Sequence, residues 1–266
     1  MNQIIIKSFE HLNDVVFDGC YDDSLNRYRN NYVYRGLSDA DYPLITSLNR
    51  VCSHDLSLEN SIIRNFKKYG YADLNQKESF WQTLATGQHF GLPTRLLDWT
   101  YSPLVAAHFV TVNTDDYDKD GVIYAIDTSE SLPTLPSVLR EKLESTRASS
   151  FSISMLDSVA KDFDELKALK REPFFLFYEP ASGDDRMINQ YSLFSMCSDP
   201  SYTVDQLVDD NSTLCKLVIP KEIKLEIRDK LDYINISERV ISPGLDSICS
   251  WISFPRCLGS CISFNN

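Results

Sequence analysis

The side chains with the chemistry to bind or react gather in three stretches of this sequence. The first is Tyr32-Val33-Tyr34-Arg35-Gly36. Its alternation predicts a strand with Val33 and Arg35 on one face and the tyrosines on the other. An arginine at a strand end offers a planar fork of donors that grips carboxylate or phosphate through two bonds. The glycine after it lets backbone approach a ligand closely. The alternative is an arginine paired with an internal carboxylate that ties two segments together.

The second stretch runs from His89 to His108, HFGLPTRLLDWTYSPLVAAH. Polar Thr94, Arg95, Asp98 and Thr100 are interleaved with bulky apolar residues and follow no helical period. The pattern predicts an anchored loop whose polar groups are held rigidly, a common setting for function. An Arg95–Asp98 pair, or Asp98 accepting from turn amides, is the structural alternative. Lying between Leu97 and Trp99, Asp98 is expected to be buried. His89 and His108 flank the stretch but lack the close spacing of a metal site, so no metal is expected.

The third stretch is Pro173 to Phe194, PFFLFYEPASGDDRMINQYSLF. An apolar strand ends at Glu179, and a turn at Ser182–Asp185 follows. Arg186 and Gln190 lie four apart, so they share one face of a helical turn. Together they form a polar surface suited to an amide, a sugar or a phosphate. A capped surface helix is the structural alternative.

Elements must position these groups. Strands are expected over 31–37, 122–127, 173–179 and 213–219. Ser57, Ser79 and Ser102 read as helix N-caps, the last followed by Pro103 at the first helical position. Gly70 and Gly91 read as helix stops. Met155, Val159, Phe163, Leu166 and Leu169 form one apolar stripe, and Ile223, Ile227, Leu231 and Ile234 another; a short helix over 247–252 comes last. Helices cluster between isolated strands rather than alternating with them. The expected fold is therefore α+β, a single domain with helices on a small mixed sheet. Its expected parts are a lead-in segment over 1–29, a domain over 30–252 and a tail over 253–266.

Composition limits the function classes. The chain has 266 residues, 43% hydrophobic and 24% charged, a globular balance able to bury one sizeable core. No run approaches the length of a membrane span, and the N-terminus is apolar over too few residues for a secretory leader. The net charge is −12, which disfavours nucleic acids and anionic membranes as partners. Seven cysteines without a CxxC pair read as reduced thiols in a cytoplasmic protein. There is no GxSxG, no GxxxxGK[ST] and no GxGxxG, which argues against a serine hydrolase of that type, a P-loop NTPase and a Rossmann dehydrogenase.

The three stretches together resemble the FRG domain family. Tyr34-Arg35-Gly36-Leu37 is similar to the signature behind the family's name, with Tyr34 in place of phenylalanine. HFGLPTRLLDWTYSPLVAAHF resembles its most recognisable segment. The spacing of Arg186, Gln190 and Phe194, and the late Ser242-Pro243-Gly244-Leu245-Asp246, resemble its later landmarks; Tyr191-Ser192 stands where the family usually has glycine.

The resemblance implies a bacterial or phage-encoded protein of conflict, a toxin or anti-phage effector. By analogy with ADP-ribosyltransferases, it also implies a site for NAD or another nucleotide, with NAD as the candidate substrate and no particular cofactor assigned. On that reading Arg35, Gln190 and Glu179 are the catalytic candidates, and Thr94, Arg95, Asp98 and Arg186 line the ligand. The second reading is a recognition module without chemistry that binds a small anionic ligand or a partner protein.

Overall fold

A computed structural model describes residues 1–72, 74, 79–181, 185–208 and 212–257. Its frame is a mixed sheet of eight strands in the order β1-β10-β6-β4-β5-β9-β8-β7, with a separate hairpin of β2 and β3. The strands are β1 (Asn2–Ile5), β2 (Tyr21–Asp22), β3 (Arg27–Tyr28), β4 (Tyr32–Leu37), β5 (Leu96–Thr100), β6 (Gly121–Asp127), β7 (Phe151–Ser152), β8 (Phe175–Glu179), β9 (Ser192–Cys197) and β10 (Cys215–Ile219). Only the outermost pairs, β1 with β10 and β7 with β8, are parallel; the interior pairs are antiparallel. The expected α+β class holds, and the strands expected in the first and third stretches do share a sheet, which is larger than expected.

Period-2 alternation sorts the core into layers. One face of the sheet carries Val33, Leu97, Trp99, Val122, Tyr124, Phe175, Phe177 and Leu193 in one continuous cluster. The other face carries two clusters. Tyr34, Ile123, Ala125, Leu217 and Ile219 pack on helices Phe9–Phe17, Pro103–Thr111 and Lys221–Tyr233. Leu96, Leu176, Tyr178, Phe194 and Met196 pack with Trp81, Leu84, Leu139 and Phe163 from helices on the far half. The division falls between β4 and β5, at the middle of the sheet.

The ladder is weakest at that division. β4 and β5 are joined only at Tyr34↔Thr100, whereas β4 and β6 pair over six residues. One sheet is thus composed of two four-stranded halves joined by a single bridge.

Several local signals act as expected. Ser79 accepts from the Gln82 amide at the start of helix Phe80–His89, and Ser102 caps Pro103–Thr111 with proline in its first turn. Gly91, at φ +83°, ends the first of these. The Leu92 amide returns to Gly87 and the Gly91 amide to Gln88, the paired bonds of a left-handed helix stop. Ser57 precedes its helix without a side-chain cap bond.

Three expectations change. The stripe from Met155 to Leu169 is two short helices, Ile153–Asp157 and Phe163–Ala168, because Asp162 caps the second one. The stretch expected to be an anchored loop contains β5, and Ser192–Cys197 is a full strand. The N-terminal residues enter the core: β1 pairs with β10, and Ile6 and Leu12 are fully buried.

Candidate functional site

The split between β4 and β5 opens into a cleft of about 670 Å³. Tyr34, Arg35 and Gly36 line it from β4, and Asp98, Trp99 and Thr100 from β5. Ser192 and Phe194 of β9 extend its floor. Gln88 to Gly91, at the end of helix Phe80–His89, form one rim, and Arg186 and Gln190 another.

The register explains the opening. Continued by two residues, Tyr34↔Thr100 would set Gly36 opposite Asp98, but the ladder stops. The Asp98 carbonyl receives a bond from Arg35 Nη1 at 2.6 Å instead. Arg35 Nη1 also stands 3.7 Å from the Asp98 carboxylate. The arginine side chain is 14% exposed and the aspartate 54%. Arg35 Nε is buried without a partner among the described residues. Burial pulls the guanidinium below its ordinary pKa, opposed by the Asp98 charge.

This overturns the expected burial of Asp98. In a strand, Leu97 and Trp99 point to one face and Asp98 to the other, so apolar neighbours in sequence are not neighbours in space. Of the two, Arg35 is the buried group.

Gly36 also has another use than the one expected. A Cβ there would lie 1.9 Å from the Ala106 carbonyl oxygen. The glycine seats helix Pro103–Thr111 against β4.

The remaining candidates divide. Arg186 and Gln190 lie on the cleft wall. The Gln190 amide donates to the Ser242 hydroxyl at 3.2 Å, and Asn189 donates to the Val240 carbonyl at 2.7 Å. The late landmark at Ser242 thus buttresses the cleft. Thr94 is fully buried behind the wall and donates to Gln88 Oε1 at 2.7 Å.

Arg95 and Glu179 sit elsewhere. The Arg95 guanidinium donates from Nε to Glu59 Oε2 at 2.6 Å and from Nη1 to the Ser198 carbonyl at 3.0 Å. It also covers the Phe163 ring, 3.6 Å from its centre. Arg95 and Glu59 are both buried, so this pair joins two segments and offers nothing to the cleft. Glu179, at the end of β8, accepts from Tyr101 and Ser150 hydroxyls at 2.7 and 2.6 Å and does not line the cleft. His108 is buried against Arg228, which also pairs with Glu238. The turn at Ser182–Asp184 lies outside the described residues.

Two cleft residues escaped the sequence reading. Gln88 holds the Asp98 carboxylate, donating to Oδ2 at 2.9 Å; nothing in its sequence position sets it apart from other helical residues. Phe90, 76% exposed at the rim, signals itself only as a large apolar side chain beside a helix-stopping glycine. Among the described residues no helix is long and apolar enough to cross a membrane.

No curated protein and no solved structure matches this chain. One family model does, the FRG domain, over residues 30–119. That span includes both strands of the split, the Gln88–Gly91 rim and the helix seated on Gly36, while Arg186, Gln190 and Glu179 fall beyond it. The two strands that part to form the cleft are thus supplied by the segment that matches the FRG domain.

Proposed function

We propose that the cleft at the β4–β5 split binds NAD or another nucleotide, and that the protein is an ADP-ribosyltransferase-like effector of bacterial conflict, as toxin or anti-phage agent. The observation that carries the reading is Arg35. Its guanidinium lines the cleft yet is only 14% exposed, with Nη1 on a backbone carbonyl and Nε unpartnered among the described residues, so its donors are poorly satisfied. Charge-assisted bonds to a phosphate would satisfy them. Arg186 adds a second cation to the wall, in a chain whose net charge is −12. A local positive site on an acidic protein favours a small anion over a polyanion. The free thiols of Cys20, Cys52 and Cys197 support a reducing, cytoplasmic setting.

One observation favours a binding module without chemistry. Glu179 lies outside the cleft, and the Gln190 amide is engaged by Ser242. Neither is positioned as a charged stabiliser of an oxocarbenium-like transition state, which leaves Asp98 as the carboxylate for that role.

The test is incubation of the purified protein with NAD, with nicotinamide release followed by chromatography and NAD binding followed by thermal shift. Release and a raised melting temperature, both lost in Arg35→Met, support the transferase reading. Binding without release supports the recognition module. Neither binding nor release contradicts both.

A further inference from the structure

Asp98 is the only carboxylate among the described residues that line the cleft. Its two oxygens differ. Oδ2 receives Gln88 Nε2 at 2.9 Å and faces Arg35 Nη1 at 3.7 Å. Oδ1 has no partner among the described residues. The amide of Gln88 is not free to turn over. The Leu96 N–H donates to Thr94 Oγ1 at 3.0 Å, and that hydroxyl donates to Gln88 Oε1 at 2.7 Å. With its oxygen taken by a donor, Gln88 presents its NH2 to the carboxylate. A fully buried threonine therefore fixes the orientation of a half-exposed aspartate through one intervening amide.

Folding does not require the last of these bonds, from Gln88 to Asp98, because water would satisfy an exposed carboxylate equally well. What it fixes is the direction of Oδ1. A carboxylate only accepts, so its complement in a ligand is a hydroxyl or an N–H. Arg35, beside it, only donates, and its complement is an anion. A bare phosphate gripped by Arg35 would meet the Asp98 charge at short range. A sugar phosphate offers each group its complement. Phe90 at the rim adds an exposed ring on which a base could stack.

We propose that Asp98 reads the sugar hydroxyls of the bound ligand, so that the cleft selects ribonucleotides over their deoxy analogues and over inorganic phosphate. Gln88 and Thr94 are the positioning residues that aim it. The proposal rests on the nucleotide reading above and narrows it to a ligand class.

The experiment is titration calorimetry with AMP, 2′,3′-dideoxy-AMP and inorganic phosphate. The native protein is expected to bind AMP at least tenfold more tightly than the dideoxy analogue, and phosphate most weakly. Asp98→Asn reduces the ratio to below about twofold while the circular dichroism spectrum stays native. Thr94→Val lowers the ratio too, whereas Thr94→Ser, which keeps the hydroxyl, preserves it; a merely structural role for Thr94 would not track the hydroxyl. Equal affinity for AMP and its dideoxy analogue, or full discrimination in Asp98→Asn, overturns the hydroxyl-reading role and leaves the nucleotide site standing. Absence of binding by both nucleotides overturns both.

Discussion

Arg35 and Asp98 meet across the place where the central sheet comes apart: the arginine donates to the aspartate's backbone carbonyl at 2.6 Å, while the aspartate's carboxylate stands 3.7 Å away. The arginine thus takes a bond that a continuing ladder would have supplied, and it carries a charge into the gap. Its solvation is poor and its Nε is unpartnered.

A site built this way trades stability for binding. Replacing a poorly compensated buried cation by an apolar side chain of similar volume is often neutral or stabilising. Arg35→Met is therefore expected to change unfolding stability by less than about 1 kcal/mol, or to raise it, while ligand binding is lost. Urea denaturation at pH 7 measures the first and calorimetry the second. A loss of stability well beyond that range would mean that Arg35 is chiefly architectural.

Arg95 should behave in the opposite way. Its guanidinium is paired with Glu59 and capped by the Ser198 carbonyl inside the core. Arg95→Met strands the Glu59 carboxylate, and breaking such a buried pair costs about 3–5 kcal/mol. The same urea experiment should show a large drop in midpoint, whereas Arg35→Met shows none.

Gly36 tests the seat of the helix. The Cβ of Gly36→Ala would stand 1.9 Å from the Ala106 carbonyl oxygen and 2.8 Å from its carbon, both backbone atoms. The helix must move off β4, and overpacking of this kind costs about 1–3 kcal/mol or more. The expected result is a lowered melting temperature with reduced nucleotide affinity, because the helix backs the cleft wall. An unchanged melting temperature would mean that the helix shifts without cost.

Acid should weaken the protein through His108. Burial, with the neighbouring Arg228 charge adding to it, lowers its pKa from 6.5 to about 3. The unfolded chain thus binds a proton that the folded chain refuses between those values. Its contribution to stability is complete above about pH 6.5 and falls as pH drops toward 3, at up to about 1.4 kcal/mol per unit. Denaturation midpoints measured from pH 7.5 down to 5 should decline, and more shallowly in His108→Gln. Equal slopes in the two proteins would show that other groups govern acid sensitivity.

The legible part of the fold was what local chemistry dictates. The Ser79 and Ser102 caps, the proline at a first helical turn and the Gly91 stop each follow from backbone bonding within a few residues, and they placed two helices next to the site. Strands rich in aromatic and β-branched residues were legible for the same reason. β5 was not, because Leu96-Leu97-Asp98-Trp99-Thr100 mixes a polar residue into an apolar run. The reason lies in its position at the sheet's split: Asp98 faces an open cleft where a covered strand would bury a hydrophobe. The exchange of Arg95 for Gln88 has a similar cause. Sequence gives the charge of an arginine but not the distant Glu59 that neutralises it, and gives no sign that a helical glutamine points across at Asp98.

The most direct test of the cleft is a titration of isotope-labelled protein with NAD, followed by amide chemical shifts. The account predicts that the largest shifts fall on Gly36, Gln88, Gly91, Asp98 and Thr100, around the β4–β5 split, and that they vanish in Arg35→Met. Shifts centred elsewhere, or none at saturating NAD, would contradict it.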